Sequence, residues 1–257
     1  MSNVHQPDDL KRAANLIRHA RYAIALTGAG ISVPSGIPDF RSPHSGLWER
    51  YDPMEVASLA SFRRHPERFY DWIRPLLETT RNARPNPAHE ALARLQAAGY
   101  LHEIITQNID GLHEAAGSHD VLPVHGHTRT GTCQQCGRSV EGDLLWRAVE
   151  AGEVPRCPTC GGVLKPDVIL FGEILPMDIF ERARQAAERA DLVLVAGSSL
   201  EVAPAADLPL ITLNRGGSLL IVNLGPTALD WYATLKIEGD VADVLPRIAD
   251  LVLDDAA

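Results

Sequence analysis

Five short apolar runs, at 22–27, 102–106, 191–196, 218–223 and 233–238, place the strongest limit on what this chain can fold into. Each is rich in aliphatic and β-branched residues and is bounded by glycine or polar turn residues, as a strand buried on both faces should be. Helical patterns lie between them, at 8–20, where Leu10, Ala14 and Ile17 share a face, and at 87–98, 178–190 and 241–252. The 87–98 pattern begins at Pro87, a residue suited to a helix's first turn. Strands alternating with helices predict an α/β chain built on a doubly wound parallel sheet. A chain of 257 residues can withdraw roughly 70–75% of its unfolded surface from water, so a substantial core is available.

Two stretches break that rhythm. Residues 44–86 concentrate aromatic rings (Trp48, Tyr51, Phe62, Phe69, Tyr70 and Trp72) and read as helices inserted into the fold. Residues 130–165 hold all four cysteines and read as a small separate module. Within it, Cys133-x2-Cys136 and Cys157-x2-Cys160 are separated by 20 residues. A two-residue gap lets a tight turn aim both sulfurs at one point, and two such knuckles complete a tetrahedron around Zn²⁺. Four unrelated buried thiols are the alternative, and the pairing of all four argues against it. With every position a cysteine, no coordination site is left for substrate or water, so the expected metal is structural.

Zinc ribbons also occur as nucleic-acid readers. Between residues 130 and 165, however, Arg138, Arg147, Arg156 and Lys165 are balanced by Glu141, Asp143, Glu150 and Glu153. A surface that holds phosphates should be visibly basic. The whole chain carries a net charge of −9, which also works against phosphate-backbone binding and suits a cationic partner such as a lysine-rich peptide. No direct nucleic-acid partner is expected. Hydrophobic residues at 45% and charged residues at 22% exclude a disordered or fibrous chain. Apolar runs such as Leu192 to Ala196 fall far short of the ~20 residues of a membrane span, so no membrane partner is expected either. The chain begins polar, with no visible secretory signal, which favours the cytoplasm.

Polar residues gather where the strands should end. The first run leads into Thr27-Gly28-Ala29-Gly30-Ile31-Ser32. Glycines there let a phosphate approach backbone amides. Val33 takes the place of a third glycine, so a standard dehydrogenase fingerprint is absent. An extended loop, Pro34-Ser35-Gly36-Ile37-Pro38-Asp39-Phe40-Arg41, follows and carries an acid, a ring and a cation. Gln107-Asn108-Ile109-Asp110, Gly197-Ser198-Ser199 and Asn223 end later strands, and His125-Gly126 precedes the cysteine module.

Taken in order along nearly the whole chain, these motifs, with Phe171-Gly172-Glu173, resemble the sirtuins, NAD-dependent protein deacylases. The resemblance implies a discontinuous Rossmann-like NAD-binding domain from residues 1–43, 87–129 and 166–257. It also implies a small domain from the helical insert 44–86 and the zinc module 130–165, with the active site in the cleft between the two. The implied chemistry is attack of an acyl-lysine oxygen on the ribose carbon that carries nicotinamide, through an oxocarbenium-like transition state. The resulting alkylimidate is resolved into O-acyl-ADP-ribose and free lysine.

His125 is the implied general base, a role that suits a side chain titrating near neutrality; His19, His89, His102, His113 and His119 read as structural instead. The resemblance gives Asn108 and Asp110 the ribose and the nicotinamide carboxamide, and Gln107 the ribose hydroxyls. Phe40 shields the ribose face, and Arg41 holds phosphate. Ser198, Ser199 and Asn223 serve the phosphates and adenine ribose, and Val241 lies near the adenine. Gly28, Ala29, Gly30, Ser32, Ile37, Asp39, Ile109, Gly197, Leu224 and Gly225 complete the implied cofactor contacts. Ile169, Phe171 and Val202 match the family's peptide groove, where the substrate adds as a strand. Family members that remove succinyl or malonyl groups carry Tyr-x-x-Arg in the helical insert. Here Tyr70 and Arg74 are four apart, so deacetylation is expected over desuccinylation or demalonylation. Protein ADP-ribosylation is the alternative with the same cofactor, and the expected oligomeric state is a monomer.

Overall fold

The computed structural model describes residues 7–40 and 46–254. Along the chain the strands are β1 (Ala23–Thr27), β2 (Glu103–Thr106), β3 (Val121–Pro123), β4 (Gly126–Cys133) and β5 (Ser139–Glu141). They continue with β6 (Leu164–Val168), β7 (Leu192–Ala196), β8 (Ser218–Asn223) and β9 (Leu235–Glu238). The chain divides into two compact units, one of residues Met1–Ser35, Arg84–Val124 and Met177–Ala257, the other of Gly36–Ala83 and His125–Pro176.

In the first unit six parallel strands run in the order β3-β2-β1-β7-β8-β9. The doubly wound sheet expected from the sequence is present, and the five apolar runs are five of its strands. Successive side chains of a strand point to opposite faces. Ala23 and Ala25 of β1 and Leu192 and Leu194 of β7 therefore join a core with Leu10, Ile17, Leu92 and Ile248 on one face. Ile24, Leu26, Val193 and Val195 join Ala183, Ala187 and Leu208 on the other. Helices Pro7–His19, Pro87–Ala97 and Val241–Asp254 cover the first face, and Met177–Arg189 covers the second. Burial on both faces explains why these strands read as continuous apolar runs.

Three elements depart from the sequence reading. The edge strand β3 is only three residues long and ends in proline, which cannot donate to a ladder. Helix Leu208–Asn214 is too short to show a period, although Pro209 in its first turn marks its start. The loop read from Pro34 begins instead inside a 3₁₀ helix, Ala29–Ser35, with the irregular segment starting at Gly36.

The second unit contains the antiparallel sheet β5-β4-β6 and helix Gly142–Glu150. It also contains helices Pro53–Val56, Leu59–Arg64 and Pro66–Asn82, in the stretch expected to be helical. Among the described residues no helix is long and apolar enough to cross a membrane.

Two buried histidines make the first unit sensitive to acid. His113 Nε2 lies 2.9 Å from Thr27 Oγ1, and its ring meets that of His89 edge-on at 4.9 Å between centroids. Burial holds His89 down to about 4 and His113 to about 3, the charge of His89 also acting on His113. An unfolded histidine titrates near 6.5, so between that pH and the folded values the unfolded chain binds more protons. Stability from this pair is complete above about pH 6.5 and declines as pH falls, by up to ~1.4 kcal/mol per pH unit for each ring. Urea midpoints measured from pH 7.5 to 5 should fall, and fall less steeply in a His113→Asn variant; equal slopes in the two proteins would contradict the assignment.

Candidate active site

The winding of the sheet reverses between β1 and β7, since the chain moves outward through β2 and β3 on one side and through β8 and β9 on the other. Doubly wound sheets bind dinucleotides outside the carboxyl ends of the strands at this reversal. Gly28 and Gly30 follow β1 there, and Gly197 follows β7. The Gly30 amide donates to the Gly197 carbonyl at 2.9 Å. A Cβ on Gly30 would lie 2.8 Å from that oxygen, and one on Gly28 would lie 2.9 Å from it. Gly197 itself has φ +62°, and its Cβ would meet the Ile31 nitrogen at 2.2 Å. These positions accept only glycine because two strand ends approach without side chains between them.

Around this approach the polar side chains are tied together. Asn108 Nδ2 donates to the Gly28 carbonyl and to Ser32 Oγ, both at 3.1 Å. Ser32 Oγ donates to Asp110 Oδ2 at 2.7 Å, and the Leu112 amide donates to Asp110 Oδ1 at 2.9 Å. Burial raises the Asp110 carboxyl above its ordinary value, against the pull of those hydrogen bonds. Gln107 Nε2 donates to Ser198 Oγ at 3.0 Å. Ile109 sits half-buried between these residues, and Ala29 and Ser32 lie in the 3₁₀ helix. Further along the same sheet edge, Asn223 ends β8 and donates from Nδ2 to the Gly225 carbonyl at 3.0 Å, with Leu224 exposed between them. The Ser199 carbonyl accepts from the Ala228 amide at 2.9 Å. Val241 is buried at the start of the last helix, and Val202 also belongs to this unit.

A layer beneath this set went unassigned in the sequence. Thr27 Oγ1 donates to Thr106 Oγ1 at 2.9 Å, and Thr106 Oγ1 accepts the Asn108 amide at 3.1 Å. Asn86 Nδ2 holds the Ile31 carbonyl at 2.8 Å and Ser35 Oγ at 2.9 Å. The threonine pair depends on the β1–β2 register, which places Thr27 opposite Thr106. Asn86 was findable from its place just before Pro87, where it caps the helix.

The second unit holds the remaining candidates. The His125 carbonyl accepts the Ile169 amide at 2.9 Å, while Gly126 has φ +79° and abuts the Asp167 carbonyl so closely that a Cβ would lie 2.0 Å from its oxygen. The Phe171 amide donates to the Ala57 carbonyl at 2.9 Å, and the Phe171 carbonyl accepts from Leu59 at 3.0 Å. The Asp39 and Phe40 carbonyls accept from the Leu47 and Trp48 amides, each at 3.0 Å. Phe40 stacks on Trp48 at 5.0 Å, and Trp48 stacks on Trp72 at 5.7 Å. Ile37 is half-buried, and Arg41 lies outside the described residues.

The four cysteine sulfurs lie within 4.8 Å of one another. Cys133 and Cys160 are 3.5 Å apart and Cys136 and Cys157 3.8 Å, so neither pair is a disulfide. A Zn–S bond of about 2.3 Å sets a sulfur–sulfur edge of about 3.8 Å in a tetrahedron, so the cluster fits a zinc ion. Backbone amides of Thr159 and Cys160 pull the Cys157 thiol down to about 6, while, against the pull of the Gly162 amide, the neighbouring Cys136 and Cys133 sulfurs push the Cys160 thiol up to about 12.

The model of the Sir2 family matches residues 28–204. The chain belongs to this family, the sirtuins. It is 44% identical over 245 residues to NAD-dependent protein deacetylase 1 of Pyrobaculum aerophilum, covering 95% of this chain and 94% of that protein. It is 46% identical over 242 residues to the NAD-dependent protein deacetylase of Sulfolobus acidocaldarius, covering 94% of each. Among solved structures, a Sir2 enzyme superposes with a TM-score of 0.92 at 41% identity, covering 97% of this chain and 99% of that one. A Sir2 holding a deacetylated p53 peptide and 3'-O-acetyl ADP-ribose superposes with a TM-score of 0.90 at 41% identity, covering 94% and 98%.

In this sirtuin, Tyr70 and Arg74 are committed to the structure of the second unit. Tyr70 is buried and donates its hydroxyl to the Leu164 carbonyl at 2.5 Å. Arg74 Nε donates to the Val149 carbonyl at 2.8 Å, and its guanidinium pairs with Asp71 at 3.1 Å. Neither group is held ready for a substrate carboxylate.

Proposed function

We propose that this chain is an NAD-dependent protein-lysine deacetylase that yields nicotinamide, O-acetyl-ADP-ribose and the free lysine. The observation that carries the reading is the Ser32–Asn108–Asp110 set beside Gly28 and Gly30, at the reversal point of the sheet. It stands in a chain 44–46% identical, nearly end to end, to NAD-dependent deacetylases. NAD suits this place because the glycine approach leaves no side chain over the carboxyl ends of β1 and β7, and the Asn108 amide and Asp110 carboxylate match carboxamide and ribose groups. Bound NAD supplies a ribose carbon with nicotinamide as leaving group and the hydroxyl that receives the acetyl group.

The chain's own residues then divide the work. Ser32 fixes both the Asn108 amide and the Asp110 carboxylate, so these groups meet the ribose and carboxamide already oriented. Gln107, anchored on Ser198, serves the ribose hydroxyls. His125 takes the hydroxyl proton as general base, with its main chain held by Ile169. Phe40, backed by Trp48, screens the reacting carbon from water. The acetyl-lysine peptide packs against the Ile169 and Phe171 side chains.

The cysteine cluster holds one structural Zn²⁺ through Cys133, Cys136, Cys157 and Cys160. Four thiols free of disulfides also accord with a reducing, cytoplasmic location.

The acetyl group is favoured because Tyr70 and Arg74 are occupied elsewhere. Matched acetyl-lysine and succinyl-lysine peptides, incubated with the protein with and without NAD and weighed by mass spectrometry, test this. Only the acetyl peptide should be deacylated, and only with NAD; faster removal of succinyl would overturn the preference.

A further inference from the structure

Lys165 is one of only three lysines in the chain, against 21 arginines, and its side chain is 9% exposed. A buried ammonium is costly unless each of its protons has an acceptor. Lys165 Nζ meets three: the Pro166 carbonyl at 3.0 Å, the Val168 carbonyl at 2.7 Å and Glu173 Oε2 at 3.1 Å. That same carboxylate oxygen accepts the Leu170 amide at 2.8 Å, and the Glu173 amide returns a bond to the Leu170 carbonyl at 3.0 Å. Glu173 therefore holds both polar groups of Leu170, while Lys165 holds the carbonyl two residues earlier. Gly172, with φ +85°, lets the chain turn back to make this closure.

The residues on either side of Leu170 are Ile169 and Phe171. We infer that Lys165 and Glu173 are positioning residues that fix the backbone carrying the Ile169 and Phe171 side chains against the acyl-lysine peptide, so that peptide affinity depends on them and NAD affinity does not. The inference rests on the deacetylase reading above. Neither residue touches the reacting atoms. Their effect passes through Leu170 to the Ile169 amide, which is fixed on the His125 carbonyl at 2.9 Å.

The test uses the full-length, zinc-loaded protein and its Glu173→Ala, Glu173→Gln and Lys165→Met variants. Glutamine keeps an acceptor for the Leu170 amide, whereas alanine removes it. In Glu173→Ala the KM for an acetyl-lysine peptide should rise about tenfold, the scale of one lost hydrogen bond. The KM for NAD should stay within about twofold of wild type, because the uniform binding of NAD is untouched. Glu173→Gln should recover most of the peptide KM, and Lys165→Met should behave like Glu173→Ala. Anisotropy of a fluorescein-labelled acetyl-lysine peptide, read without turnover, should report the same loss of affinity.

A folded Glu173→Ala protein with wild-type peptide KM overturns the inference. So does an equal rise in both KM values, or a failure of Glu173→Ala and Lys165→Met alike to fold, since the pair would then serve the fold alone. A wild-type protein that neither binds nor deacetylates the acetyl peptide would instead remove the deacetylase reading itself.

Discussion

A His125→Ala variant is expected to keep its fold and zinc content and to lose deacetylation by about two to four orders of magnitude, the usual contribution of a positioned general base. The loss should fall mainly on kcat, because the imidazole acts on a proton and does not anchor the peptide backbone. The main-chain bond from Ile169 to the residue 125 carbonyl does not involve the side chain, so alanine leaves it intact. Nicotinamide release should be less affected than acetyl transfer, since the base is needed after that bond breaks. Circular dichroism and metal analysis establish that the variant is folded; a folded variant with wild-type kcat would remove His125 from the mechanism.

The second large effect concerns the metal. Cys133→Ser is expected to release zinc and unfold the unit that contains β4, β5 and β6. Structural zinc sites contribute roughly 10–16 kcal/mol of apparent folding free energy, as much as the entire stability of a typical domain. Cys133 is buried, and its sulfur accepts the Gln135 and Cys136 amides at 3.4 and 3.5 Å, so a hydroxyl there loses the ligand and distorts the knuckle. Bound zinc, measured by elemental mass spectrometry, should drop from one equivalent per chain to near none, with a lowered melting temperature. Retention of one equivalent and of the wild-type melting temperature would contradict the assignment.

The sheet was legible in the sequence because burial on both faces leaves a compositional trace. Leu192 to Ala196 is apolar throughout since its odd and even positions each meet a separate core. β3 left no such trace, because three residues ending in Pro123 carry neither a period nor a full ladder. Within the candidate site, motif residues such as Gly28 and Asn108 could be singled out individually. The reason glycine is required at 28, 30 and 197 emerged only from the pairing of β1 with β7, which brings the Gly197 carbonyl against both Gly28 and Gly30. The buried Thr27–Thr106–His113 layer was hidden for the same reason: residues 79 and 86 positions apart share it, and no local pattern reports a cross-strand register. Tyr70 and Arg74 illustrate the converse case. Their spacing alone places both on one helix face, and only the bonds to Leu164 and Val149 show how each side chain is engaged.

The central claim is that NAD is consumed in step with loss of acetyl from lysine. The most direct measurement is the ratio of nicotinamide, deacetylated peptide and O-acetyl-ADP-ribose formed by the wild-type protein from an acetyl-lysine peptide and NAD. The three should appear in equal amounts, and none should form when either substrate is omitted. Nicotinamide released while the peptide stays acetylated, with ADP-ribose free or attached to protein, would contradict the account and make the chain a glycohydrolase or an ADP-ribosyltransferase.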